Sequence, residues 1–315
     1  MIRIQQIETD FKKFLGVAIK TLLLIVLLSI FASCLRLDDN LYNESKISEY
    51  KLDNYSADDV DFYLDGNYKI ADSLVKVFTL QSRAANEDET TTIYAIYIGS
   101  ISKIATDTVI MYCHGNKDHM DFYWQRAKLL ANTGGKNRFG VMMIDYRGFG
   151  MSEGNPTENG MYADVDAALQ WLKQYGLTDN RLVMYGFSLG SAPATKLTAN
   201  TYSLVPAKLL LEAPFASAEV MEQDASGLAL PGSVVTDLKI NNGEEIKKVH
   251  QPFFWIHGEA DDFLNIETHG EVVFNNYNGT YKEAHRIANA GHSNIEPTMG
   301  FENYMEAVEK FVSGF

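Results

Sequence analysis

The chain has 315 residues, 46% of them hydrophobic and 22% charged, a globular composition that excludes a disordered or low-complexity polymer. A formal net charge of −14 argues against nucleic acid or another polyanion as partner. Only Cys34 and Cys113 are present, which excludes a disulfide framework.

At the N-terminus, Arg3, Lys12, Lys13 and Lys20 outweigh Glu8 and Asp10, and Thr21 to Ser33 then forms an apolar run. Crossing a bilayer takes about 20 residues, so this shorter run has the length of a signal-peptide core. The stretch Phe31-Ala32-Ser33-Cys34 resembles a bacterial lipoprotein processing site, with Phe31 where leucine is more usual. That resemblance implies a signal peptide over 1–33, lipidation of Cys34 and a membrane-anchored protein of the bacterial cell envelope. An uncleaved helix from Leu15 to Ser33, giving a single-pass membrane protein, is the alternative. Residues 34–60 are polar and lack a sustained period, which predicts a tether between lipid and domain.

From about Asp61 the pattern tightens into one domain over 61–315. Val75 to Gln81 and Thr91 to Ile98 read as an opening hairpin, rich in Thr, Tyr, Ile and Val. Short apolar strands are predicted at Thr108–Cys113, Gly140–Ile144, Arg181–Tyr185, Ala207–Leu211, Phe253–Ile256 and Ala284–Ile287. Between them Tyr123, Ala127 and Leu130, then Val165, Ala168, Leu169 and Leu172, recur at helical spacing. A further helix is predicted from about Ser188 to Asn200, and Phe301, Met305, Val308 and Val312 give a closing helix its buried face. This alternation predicts an α/β fold with a mostly parallel sheet covered on both faces, and ligands then bind at the carboxyl ends of the strands. Cys113, at the end of an apolar strand, reads as a small buried thiol. The long stretch from Ala218 to His250 predicts a small lid, with Leu228, Ala229, Leu230, Val234 and Val235 suited either to an acyl chain or to core packing.

Three loops carry the chemistry. Gly186-Phe187-Ser188-Leu189-Gly190 sits between a strand and a helix, where a sharp turn lifts a serine hydroxyl clear of the sheet. Asp261 and Asp262 follow the strand FFWI, where a carboxylate can orient a histidine. Gly291-His292-Ser293 lies after the last strand and can bring an imidazole to the same edge. A tetrahedral oxyanion needs two backbone donors. Leu189 supplies one, and Asn116, in the His114-Gly115-Asn116 loop after TVIMYC, is the candidate for the other. His114 and His257 end strands ahead of glycines and read as structural. His119, His250, His269 and His285 read as ordinary surface or helix residues.

Together, YCHGN (112–116), DYRGFGMSEG (145–154), GFSLG (186–190), LEAPFAS (211–217), IHGEADDFL (256–264) and AGHSN (290–294) resemble the α/β-hydrolase superfamily. More narrowly they are similar to the branch of Bem46-like hydrolases, ABHD-type acyl-protein thioesterases and their bacterial relatives. The resemblance covers roughly Asp61 to Phe315. It implies the order nucleophile, acid, base, met by Ser188, Asp261 and His292, with Asp261 chosen over Asp262 as the last position of H-G-x-x-D. It implies a structural role for Arg147, and a serine nucleophile disfavours the dehalogenases and epoxide hydrolases of this fold. The expected activity is cleavage of small-molecule or acyl esters or thioesters through an acyl-enzyme, with no cofactor and no metal. Two alternatives are a serine aminopeptidase, with Glu219, Glu222 and Asp224 as candidates for holding a substrate amine, and a surface lipoprotein that binds without cleaving.

Overall fold

The computed structural model describes residues 20, 41–136, 138–226 and 236–314. Cys34, the apolar run before it and the apolar lid residues Leu228 to Val235 lie outside the described residues. Among the described residues no helix is long and apolar enough to cross a membrane.

The first strand, β1 (Asn43–Glu44), falls inside the segment expected as a tether. The hairpin follows as β2 (Val75–Ser82) and β3 (Thr91–Ile98), then β4 (Val109–Cys113) and the short β5 (Lys117–Asp118). The chain continues through α1 (Met120–Asn132), β6 (Gly140–Ile144), α2 (Glu158–Gln174), β7 (Leu182–Phe187), α3 (Ser191–Ala199) and β8 (Lys208–Glu212). It closes with α4 (Ala218–Ser226), α5 (Asn242–Glu245), β9 (Phe253–Gly258), α6 (Gly270–Asn276), β10 (Lys282–Ile287), α7 (Ile295–Met299) and α8 (Phe301–Ser313).

Eight strands form the central sheet in the order β10-β9-β8-β7-β4-β6-β3-β2. From β10 to β6 the neighbours are parallel, while β3 runs antiparallel to β6 and β2 antiparallel to β3. The inner strands are apolar throughout because both faces are covered, and alternate residues feed opposite layers. Val109, Met111 and Cys113 join one core with Leu172, Leu197 and Trp255, whereas Ile110 and Tyr112 join the other with Leu130 and Phe311. Burying one such aliphatic side chain contributes about 1.5–3 kcal/mol. Cys113 is fully buried, and burial pushes its thiol well above the usual range, so it is inert.

The tether expectation fails for residues 41–60, which are docked on the domain. Leu41 is buried in the core, β1 pairs in parallel with β5, and Lys51 and Leu52 donate their backbone N–H groups to Asp121 (both 2.8 Å). Asp53 receives Trp124 Nε1 (2.8 Å) and Lys128 Nζ (2.7 Å), and Gln125 accepts from the Leu64 N–H (3.1 Å). This strap covers the outer side of α1, which is why even Asp121 and Lys128 on that helix are buried. Aperiodic polar residues hid the strap because its bonds are backbone donors and carboxylates, which leave no hydrophobic pattern.

Candidate active site

β4 lies between β6 and β7, so the chain leaves it in opposite directions and opens a crevice at the carboxyl ends of β4 and β7. The turn after β7 occupies that crevice. Ser188 has φ 51°, a left-handed conformation that a non-glycine residue holds only under constraint, and it starts a short 3-10 turn leading into α3. The flanking glycines are required by space. A Cβ on Gly190 would lie 1.9 Å from the Cys113 carbonyl oxygen, and one on Gly186 would lie 2.5 Å from the Gly190 oxygen.

The three sequence-predicted side chains meet. His292 Nε2 lies 2.9 Å from Ser188 Oγ, and His292 Nδ1 lies 2.8 Å from Asp261 Oδ2. Asp261 Oδ1 accepts the N–H groups of Phe263 (3.0 Å) and Leu264 (2.8 Å), so the carboxylate is fixed at both oxygens. Asp262 is exposed and makes no hydrogen bond to a histidine among the described residues, so of the two adjacent acids it is Asp261 that lies against His292.

His257 plays a part that sequence reasoning missed. It is fully buried, and its Nε2 reaches Asp261 Oδ2 (3.1 Å) and the Leu264 carbonyl (2.9 Å). A carbonyl only accepts, so Nε2 carries the proton and donates to Asp261 as well. Burial alone would raise the Asp261 pKa, but hydrogen bonds from His257 and His292 outweigh it and hold the carboxyl well below its ordinary value. The acid therefore stays ionised. Its i,i+4 spacing from His257 was the only signal available in the sequence.

His119 and His269, expected as ordinary surface or helix residues, are buried instead. His269 Nδ1 accepts the Ala216 N–H (3.1 Å), and burial holds its imidazole below the usual range. The acids weighed for a substrate amine do not gather at the serine: Glu222 is buried, and Asp224 takes Thr268 Oγ1 (3.0 Å) and lies 3.3 Å from His269.

The loop after β4 is braced from two sides. His114 Nδ1 donates to the Gly115 carbonyl (2.7 Å), and the Asn43 N–H donates to the Asn116 carbonyl (2.9 Å). In a trans peptide the C=O and N–H point in opposite directions. The His114 bond therefore turns the Asn116 N–H away from the core, and among the described residues nothing accepts it. Asn116, Ser188 and His292 share a cavity of about 150 Å³, walled by Phe122, Phe187 and Phe263 with Asp61 at its side. A larger cavity of about 660 Å³, between the hairpin tip and α2, contains none of these groups.

Beneath the site lies a buried charged cluster. Arg126 Nη1 reaches Glu212 Oε1 (2.6 Å) and Glu296 Oε1, and Glu212 Oε2 also receives the Tyr185 hydroxyl. Leaving a buried carboxylate unpaired here would cost about 3–5 kcal/mol. Burial pushes the Glu296 carboxyl well above its ordinary range despite the neighbouring Arg126, and its Oε2 has no hydrogen-bond partner. The fold therefore holds the Glu296 proton more tightly than the unfolded chain does. A raised pKa favours the fold fully below the unfolded value and costs stability as pH rises toward the folded one. Glu296→Gln is therefore expected to melt at a higher temperature than wild type at pH 8, with the two converging near pH 4. A lower melting temperature for the variant at pH 8 contradicts this.

Residues 105–251 match the family model described as serine aminopeptidase, S33. Over 207 residues the chain is 28% identical to the human alpha/beta hydrolase domain-containing protein 17B, covering 65% of this chain and 66% of that protein, just under two thirds of its length. The mouse alpha/beta hydrolase domain-containing protein 17C is also 28% identical over 207 residues, covering 65% of this chain and 59% of its own length. Among solved structures, a Pyrococcus furiosus esterase superposes with a TM-score of 0.59 at 15% identity, covering 87% of this chain and 97% of that one. An Exiguobacterium antarcticum esterase gives 0.55 at 17%, covering 75% and 100%. At these identities the solved structures establish the fold alone.

Proposed function

We propose that the chain is an α/β-hydrolase of the ABHD-type branch and a serine hydrolase, cleaving carboxylic esters or thioesters through an acyl-enzyme. The observation that carries the reading is the unbroken bond sequence from Ser188 Oγ through His292 to Asp261. Ser188 attacks the carbonyl as His292 Nε2 takes its proton, and the charge on Asp261 stabilises the imidazolium that results. The oxyanion is received by the Asn116 and Leu189 N–H groups. His292 then protonates the leaving group, and water repeats the sequence on the acyl-enzyme.

Among the described residues the cavity beside Ser188 suits a short acyl group. At about 150 Å³ it holds roughly five waters at ~30 Å³ each, room for an acyl group of a few heavy atoms. Hydrolysis of p-nitrophenyl esters across chain lengths tests this. The kcat/KM value is expected to level off by butyrate, with decanoate gaining less than about threefold over it, since methylene groups that stay in water add no binding energy. A larger preference for decanoate sinks the short-chain reading, and no turnover of any ester or thioester sinks the hydrolase reading. Attachment to a membrane through Cys34 remains part of the proposal and rests on the sequence of residues 21–34.

A further inference from the structure

Arg126 is only 4% exposed, yet every part of its guanidinium is engaged. Besides Glu212 and Glu296, its Nη2 donates to the Ser293 carbonyl (2.9 Å) and its Nε faces Asp61 Oδ2 (3.3 Å). Its Cζ lies 4.0 Å from the centroid of the Phe187 ring. These partners share a location. Ser293 follows His292, Phe187 precedes Ser188, Glu296 opens the helix after the base loop, and Asp61 walls the cavity. Burying an ion cluster is a weak way to stabilise a fold, since apolar residues of similar volume often do better.

The base loop shows what the cluster supplies. Gly291 N–H bonds to Asn294 Oδ1 (2.7 Å) within the loop, and Asn294 accepts from Thr298 in the adjoining helix (3.0 Å). His292 bonds to Ser188 and Asp261. Apart from those two bonds, the Arg126–Ser293 contact is the single hydrogen bond among the described residues that ties residues 291–294 to a distant element. A planar guanidinium can hold Ser293, Glu296 and Glu212 at once while its face lies on Phe187, and an ammonium cannot.

We propose that Arg126 is a positioning residue for this site, clamping the 291–296 loop to the end of β7 so that His292 stays in register with Ser188. The inference rests on the hydrolase reading and deepens it. A displacement of about 1 Å at such a site costs on the order of 10²-fold in rate. Arg126→Lys is therefore expected to lower kcat on p-nitrophenyl butyrate by about 10²-fold, with KM changed less than about threefold. Fluorophosphonate labelling should slow in parallel, and circular dichroism should report a folded protein.

Glu296→Leu and Glu296→Gln keep the test decisive if Arg126→Lys does not fold. Leucine severs the second tie and is expected to lower kcat by roughly tenfold. Glutamine retains an acceptor for Arg126 and should restore kcat to within about threefold of wild type. A purely structural role for Arg126 predicts a lower melting temperature with kcat per folded molecule unchanged in Arg126→Lys and in Glu296→Leu, and that result overturns the inference. A wild-type protein that is not labelled at all overturns the hydrolase reading first, and the clamp with it.

Discussion

Ser188→Ala is expected to lower kcat by about 10⁴-fold or more while leaving the fold in place. Among the described residues the hydroxyl is the group that pairs with His292 Nε2, and its removal leaves an imidazole without that alcohol to activate. Alanine bears the same left-handed φ of 51° with no greater strain than serine, so the melting temperature should move by no more than a few degrees. Ester turnover by the purified variant at a hundredth of the wild-type rate or above would contradict the assignment.

The second large effect is expected at Asp261. In Asp261→Asn, Oδ1 must go on accepting the Phe263 and Leu264 N–H groups, so the amide NH₂ occupies the place of Oδ2. There it faces His292 Nδ1 and His257 Nε2, both of which donate to the carboxylate in the wild type. His257 cannot accept without giving up its bond to the Leu264 carbonyl. His292 would accept at Nδ1, placing its proton on Nε2 and leaving no lone pair for the serine. The expected loss is about 10³–10⁴-fold in kcat. Asp262→Asn, one residue away on an exposed side chain, should stay within about twofold. Equal losses in the two variants would remove Asp261 from its role.

Much of this site was legible because short motifs lie directly after strands. The predicted strands at Gly140–Ile144 and Thr91–Ile98 are the observed ones, since buried parallel strands and a hairpin announce themselves by composition. Gly186 to Gly190 implied the turn at Ser188 because steric crowding there leaves glycine as the only choice on either side. The strap over 41–60 was not legible: Asp53 and Asp121 act by hydrogen bonds across 69 to 75 residues of sequence. The Arg126 cluster was hidden for the same reason, its partners lying 65 to 170 positions away. His257 reads as structural in the sequence, and the folded loop shows its Nε2 turned back onto Asp261. The residues alone leave Asp261 and Asp262 open and the H-G-x-x-D resemblance chooses Asp261; the loop geometry buries that carboxylate and exposes its neighbour.

The most direct test of an activated serine is to treat the purified wild-type protein with a fluorophosphonate and map the adduct by mass spectrometry. A single phosphonyl group on Ser188, absent when Ser188 is replaced by alanine, is the expected result. A folded protein that takes up no phosphonate, or takes it up on a residue other than Ser188, would contradict the proposal that these three side chains form a working catalytic site.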